Sequence, residues 1–230
     1  YRRGGGSGGF MTQAHWAAAF AAHWGIEAEL TRLDGEYDLN FLALAADGSG
    51  YIVKAMRPGC AQDLVDMQVQ ALDHIARAAP DLPCPRVIRA SNGAAMCAIA
   101  DETGAERLVW VINQLPGRCY AKAAPKSDSL IHEVGAVLGK TNAALADFQH
   151  PGLERDFKWN LMQAGWIADD LDCIADPARR ALLTDIHGAF AELAPDLAKL
   201  PQQAIHNDAN DYNIIVSGEL SEPRRVSGLI

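Results

Sequence analysis

The run His206-Asn207-Asp208-Ala209-Asn210-Asp211-Tyr212-Asn213, followed at once by Ile214-Ile215-Val216, constrains this chain more than any other stretch. A polar loop that turns directly into an apolar strand must hold its carboxylates and carboxamides at the mouth of a buried element. The plain reading is a turn, because Asp and Asn bond their own backbone and tolerate tight conformations. A second reading is a calcium loop, for which Asp208, Asn210 and Glu219 have suitable spacing. Tyr212 then occupies a position that needs an oxygen ligand, Asn213 replaces the turn glycine, and residues 214–216 read as a strand. Those three features count against calcium.

A third reading uses the whole run. H-x-D-x-x-x-x-N before a strand is the layout of a kinase catalytic loop. Phosphoryl transfer asks little covalent work of a protein. It asks that the acceptor hydroxyl be oriented and that charge on the phosphates be neutralised. Asp208 stands where a carboxylate accepts or positions the hydroxyl proton. Asn213 stands where an amide oxygen can hold Mg²⁺ on the phosphates, and His206 is expected to brace the loop from inside.

Bulk properties narrow the field. The chain has 230 residues, a formal net charge of −9 and 49% hydrophobic residues. That is enough for one large domain or two small lobes. The acidic balance argues against a general nucleic-acid or anionic-membrane surface. The five cysteines are scattered, without a C-x-x-C pair, and read as free thiols of a reducing, cytoplasmic setting. No apolar run reaches spanning length, and no signal peptide is evident.

Residues 1–10 are a flexible Gly-rich leader by composition, either an expression scar or translated upstream sequence, with Met11 a plausible start. Thr12 is expected to cap a helix carrying Trp16, Phe20 and Trp24, ended by Gly25. Three strands are expected over Ala28–Leu33 and residues 40–45 and 51–56, separated by Asp34-Gly35 and the turn at residues 47–50. Lys54 shares a strand face with Ile52 and Met56. It is either an edge charge or a phosphate-pairing lysine. A helix over residues 61–79 follows, with Leu64, Met67, Ala71 and Ile75 on one stripe and Pro80 as its stop. Residues 86–90 lead to strands over residues 94–100 and 107–114, and Pro116-Gly117 breaks the pattern. The remainder turns helical. Leu130, Val134, Leu138, Leu145 and Phe148 mark one helix, and Phe157, Leu161, Ile167, Leu171 and Ile174 a second. A third, capped by Asp176-Pro177, carries Leu182, Ile186, Phe190 and Leu193. Strands over residues 214–217 and 226–230 flank a turn at residues 218–225.

Taken in this order, the chain resembles the aminoglycoside phosphotransferase-like small-molecule kinases, a superfamily that includes choline and hydroxylysine kinases. The resemblance covers roughly Leu30 to the end. It is carried by Leu33-Asp34-Gly35-Glu36-Tyr37-Asp38-Leu39-Asn40-Phe41-Leu42, Tyr51-Ile52-Val53-Lys54, Leu82-Pro83-Cys84-Pro85-Arg86-Val87 and the catalytic-type loop. The Asn-Asp-Tyr-Asn ending, Phe148-Gln149-His150-Pro151 and Phe157-Lys158-Trp159-Asn160-Leu161 look most like hydroxylysine kinase-type proteins. They also look like phosphotransferase domains fused ahead of class-III aminotransferases.

The resemblance implies an α+β, two-lobed protein-kinase-like fold. Its N-lobe, residues 11–115, is a nucleotide-binding five-stranded antiparallel sheet with one long helix. Residues 116–230 form a mainly helical, incomplete C-lobe. It implies ATP (or GTP) and Mg²⁺ as cofactors and a small-molecule substrate, and it allows fused C-terminal domains. Residue by residue, Asp208 is the catalytic carboxylate, Asn213 a metal ligand and Lys54 the holder of the α/β-phosphates. Gly35, Asp38 and Asn40 belong to the loop over the nucleotide, and Asn113 to Leu115 meet the base. Asp211 and Tyr212 face the substrate with no assigned role. Three departures stand out. Gln68 occupies the helix position that normally gives a Glu to the lysine, which removes charge assistance. Asn160 replaces an Asp. The second metal-binding Asp normally follows a short apolar strand, and residues 226–230 look like that strand, so the resemblance implies a continuing chain whose first 230 residues are catalytically silent alone. The two functions in contention are a kinase and a non-catalytic module, either a pseudokinase or a phosphate-retaining domain of a larger aminotransferase fusion.

Overall fold

The computed structural model of the chain describes residues 9–35, 37–218 and 224–230, with side chains from residue 13 on. Most of the Gly-rich leader, Glu36 and residues 219–223, including the Glu219 of the calcium reading, lie outside the described residues. The chain divides into two compact units, one running to Gly152 and resuming over Ala204–Ile230, the other Leu153–Gln203.

The first unit is built on an antiparallel sheet of β1 (Ala28–Leu33), β2 (Leu39–Ala45), β3 (Gly50–Ala55), β4 (Val87–Ile88), β5 (Met96–Ala100) and β6 (Glu106–Asn113). The order is β1-β2-β3-β6-β4, with β5 also on β6. This is one strand more than the five expected. The extra strand is β4, only two residues long and too short to show a period. β6 is long enough to serve two partners along one edge: β5 pairs with residues 106–110 and β4 with Val111 and Ile112.

Alternation along the strands gives the sheet two apolar faces. Phe41, Ala43, Val53, Ala55, Val109 and Val111 cluster with Trp16, Phe20 and Trp24 of α1 (Gly9–Trp24). The helix begins at Gly9, two residues inside the expected leader, so Thr12 lies within it and not at its cap. The Trp24 indole N–H donates to the Ile88 carbonyl at 3.0 Å, tying α1 to β4. The opposite face carries Ile52, Met56, Trp110 and Ile112 and packs on α2 (Gln62–Ala78).

α2 has two apolar stripes where one was expected. Val65, Val69 and Leu72 meet the sheet. Met67, Ala71 and Ile75, part of the expected stripe, meet a separate core with Leu130, Val134 and Leu138 of α3 (Asp128–Ala144). Ser127 caps α3 by accepting the Leu130 N–H at 3.2 Å. The helix stops at Ala144, and Leu145 and Phe148 pack beyond it into the same core. There the Phe148 ring lies between His74 and His150, and each histidine bonds an aspartate, Asp147 at 3.0 Å and Asp66 at 3.2 Å. The same core takes Ile214 and Val216 of β8 (Ile214–Ser217) and Val226 and Leu229 of β9 (Arg225–Leu229). With β7 (Arg118–Cys119), these form a second antiparallel sheet, β7-β8-β9.

The second unit holds short 3₁₀ turns, the one-turn α4 (Ile167–Asp170) and α5 (Pro177–Leu197). The helix expected from Phe157 to Ile174 does not form. Asn160 accepts the Met162 N–H, and Gln163 binds both the Phe157 N–H and the Arg155 carbonyl. These side chains satisfy the backbone locally and compete with a continuous helix. α5 forms as expected, with the Asp176 carboxylate accepting from Ala178 and Arg179 and Pro177 at its first turn. Among the described residues, no helix is long and apolar enough to cross a membrane.

Candidate active site

The loop before β8 is organised by its own polar side chains. Asn213 donates its amide to the Asp208 backbone carbonyl and to Asp208 Oδ2, each at 2.8 Å. Asn210 donates to Asp208 Oδ1 at 2.7 Å, and its own Oδ1 accepts the Tyr212 N–H at 2.9 Å. The Asn213 N–H closes a turn on the Asn210 carbonyl at 3.0 Å. Both carboxylate oxygens of Asp208 are therefore oriented by neutral donors, and its side chain stays exposed. Asn207 adopts φ 64°, a left-handed conformation that Asn tolerates better than most residues.

His206 braces the loop as the sequence suggested. Its N–H donates to Asn142 Oδ1 at 3.2 Å, and its Nδ1 accepts the Asp208 N–H at 3.3 Å. A ring that accepts at Nδ1 is neutral, with its proton on Nε2. Burial lowers the ring's pKa, opposed by the charge of Asp208 and a hydrogen bond to the Ile230 backbone. β9 anchors the far end, where Ile230 N–H donates to the Asn213 carbonyl at 2.9 Å and Leu229 N–H to the Pro83 carbonyl at 2.8 Å.

Lys54 is not an edge charge. β3 lies between β2 and β6, and Lys54 pairs with Asn40 on one side and Trp110 on the other. Its ammonium sits 5.2 Å from the centroid of the Trp110 ring. Burial lowers its pKa, and the negative charge of Asp38 partly offsets this. Asn40 Oδ1 is buried without a hydrogen-bond partner among the described residues. Gly35 is demanded by the same corner, since a Cβ there would come within 2.6 Å of Asn40 Nδ2 and 2.7 Å of the Asp38 carbonyl. Asp38 Oδ1 accepts the Arg57 N–H at 2.7 Å, fixing the loop to the end of β3.

Three further positions named by the resemblance lie as follows. Gln68 is half-buried on α2, and among the described residues it forms no bond to Lys54. Asn113 turns its side-chain oxygen to the Arg86 N–H at 2.6 Å and its own N–H to the Arg86 carbonyl at 3.0 Å. Leu115 packs its side chain toward Gly228, where a Cβ would come within 2.7 Å of Leu115 Cδ1. The hold of Lys126 on Asp211, at 2.9 Å, had no sequence signal across 85 residues.

The donor set bears on Mg²⁺. With Nδ2 committed to Asp208, Asn213 presents Oδ1, an oxygen donor of the kind this cation takes. Among the described residues, no group of three His, Cys, Asp or Glu side chains converges. The loop fits a cation to which Asn213 would supply one oxygen ligand.

A kinase-type loop and a lysine on a central β-strand, carried by one chain, define a class of fold. The sequence profile of the phosphotransferase enzyme family (APH) matches residues 29–230, and the chain belongs to that family. The fold is similar to a microcompartment-associated aminopropanol kinase, with a TM-score of 0.68 and 16% identity over 94% of this chain and 68% of that one. It is also similar to an amicoumacin kinase solved with AMP-PNP, Ca²⁺ and Ami, with a TM-score of 0.58 and 17% identity over 87% of this chain. A thermostable mutant of an aminoglycoside phosphotransferase, in a ternary complex with AMP-PNP and hygromycin B, matches with a TM-score of 0.56 and 16% identity over 94% of this chain and 69% of that one. The chain spans 55% of the amicoumacin kinase. No curated protein sequence matches the chain.

Proposed function

We propose that the protein is an ATP- and Mg²⁺-dependent phosphotransferase that moves the γ-phosphate to a hydroxyl of a small molecule, a hydroxylated amine or amino acid of the kind hydroxylysine kinases use. The observation that carries this is the double grip of Asn213 on Asp208, which presents a carboxylate and an amide oxygen from one rigid loop.

In this reading the acceptor oxygen forms a bond to the γ-phosphorus as the bond to the ADP oxygen breaks, and the hydroxyl proton passes toward Asp208. Lys54 steadies the phosphates; an ammonium poorly served by its surroundings gains most from an anion. Mg²⁺, bound with the nucleotide, supplies charge neutralisation on the phosphate oxygens. Gly35, Asp38 and Asn40 shape the loop over the phosphates, and Asn40 Oδ1 is a buried acceptor without a partner among the described residues. Gln68 stands, in the resemblance, where a Glu would serve the lysine, and it brings no charge. The base lies along Asn113 to Leu115, where Leu115 has no main-chain hydrogen bond among the described residues. Residues 11–115 act as the nucleotide lobe and residues 116–230 as part of the acceptor lobe of a cytoplasmic protein, with GTP as the alternative donor and fused C-terminal domains as possible neighbours.

The test is ATP turnover by the full-length protein with Mg²⁺ across hydroxylated amines and amino acids. Transfer that Asp208→Asn abolishes supports the reading. A specific observation favours a second one: among the described residues Lys54 has no carboxylate in ion-pair contact, the state expected of a phosphate-retaining pseudokinase. Nucleotide binding without transfer to any acceptor decides for it.

A further inference from the structure

Asp211 lies inside the candidate catalytic loop, between Asp208 and Asn213, yet its charge is already answered. Its Oδ2 takes the Lys126 ammonium at 2.9 Å. That ammonium also stands 4.1 Å from the centroid of the Tyr120 ring, and Tyr120 is buried in the core shared by α3 and β8. The main chain of Asp211 is held as well, because its carbonyl accepts the Ala121 N–H at 2.8 Å. One residue before Tyr120, β7 pairs Cys119 with Ile215 and Arg118 with Val216. Residues 118–126 therefore hold the loop at Asp211 and the strand that follows it.

We infer that Lys126 is a positioning residue, which fixes the turn from Asn210 to Asn213 by clamping Asp211 against the face of Tyr120. Asp211 is the first of the two central residues of that turn, whose closure sets the Asn213 amide on Asp208. An ammonium seated between a carboxylate and an aromatic face makes two favourable contacts at once. The arrangement removes Asp211 from the pool of carboxylates open to substrate and leaves Asp208 as the loop carboxylate without an ion pair among the described residues. The kinetic half of the inference rests on the phosphotransferase reading; the structural half does not.

Two measurements test it. In the full-length protein, Lys126→Ala should lower kcat by about 10- to 100-fold, the scale of a small misplacement of a reacting group. The KM values for nucleotide and acceptor should stay within about twofold. Lys126→Arg should recover most of the rate, and Lys126→Ala combined with Asp211→Ala should be no worse than the poorer single variant. Unchanged kcat, a loss confined to acceptor KM, or multiplying single effects overturns the assignment. The second measurement is amide hydrogen exchange without ligands. Lys126→Ala should speed exchange at Tyr212 and Asn213 while β3 is unaffected, and equal protection in both proteins overturns the clamp. If the parent protein transfers no phosphate at all, the functional reading fails, and the exchange result still decides the clamp.

Discussion

Asn40 and Lys54 stand directly opposite one another across β2 and β3, on the sheet face that carries Trp110. One offers a buried oxygen without a partner among the described residues, the other an ammonium whose pKa burial lowers. A buried polar atom without a partner is costly, while the ammonium has the Trp110 face and the charge of Asp38 but no hydrogen bond among the described residues. On the functional reading, phosphate oxygens meet the Lys54 ammonium, and Asn40 Oδ1, itself an acceptor, takes a donor such as water or that ammonium.

Lys54→Met is therefore expected to weaken ATP by about 10- to 100-fold, the worth of one charge-assisted contact, and to leave adenosine nearly untouched. Isothermal titration with both ligands reads the difference. Equal losses would mean that the substitution damaged the sheet.

The same lysine predicts a pH dependence. Its folded pKa lies below the ordinary 10.5, so the neutral form grows in as pH rises through the lowered value, and phosphate binding favours the charged form. ATP affinity should fall with rising pH earlier than an ordinary lysine allows, whereas adenosine affinity should not. A flat ATP profile from neutrality to the ordinary lysine range contradicts the assignment.

Asp208→Asn should lower phosphoryl transfer by roughly 10²- to 10⁴-fold with nucleotide affinity largely retained. The carboxamide keeps the shape but presents a donor where Asn210 and Asn213 both need acceptors, so the loop also loses order. Stopped-time assays with a competent acceptor, beside a nucleotide-displacement measurement, separate rate from binding. Near-normal turnover removes Asp208 from its role.

His206 carries a stability prediction of definite sign. Its folded pKa is depressed below 6.5, so the unfolded chain binds the proton first. The contribution of the neutral ring is fully present above the unfolded value and is lost as pH falls through 6.5 toward the folded pKa. Urea unfolding between pH 7.5 and 5 should show this decline in the parent and a smaller one in His206→Gln. Parallel curves would mean that the ring is not held neutral.

Much of this was written in local pattern. Alternation marked β1 to β3, and Asp176-Pro177 marked the start of α5. The H-x-D-x-x-x-x-N spacing put Asp208 and Asn213 within reach because five residues of turn return the chain to the same corner. What was not legible depended on distant partners. The Val65, Val69 and Leu72 stripe was hidden because α2 is apolar on two faces, and periodicity cannot say which face meets which layer. β4 and β7 have two residues each, so they exist as strands only because β6 and β8 are there to pair them. The segment from Phe157 to Ile174 had the helical period, but Asn160 and Gln163 spend their side chains on the backbone.

α1 has a consequence for handling the protein. Trp16 and Phe20 are 1% exposed, and Phe41, Val53 and Val111 are buried in the same cluster. Trp16→Ala should cost about 3–5 kcal/mol, the scale of deleting a buried large aromatic. A shortened form that begins after Trp24 would do more than lose a helix. It would turn the back of the sheet into a broad oily plane, and such planes find one another in solution. A preparation trimmed there should precipitate or form soluble aggregates, even though every residue of the catalytic-type loop is still present.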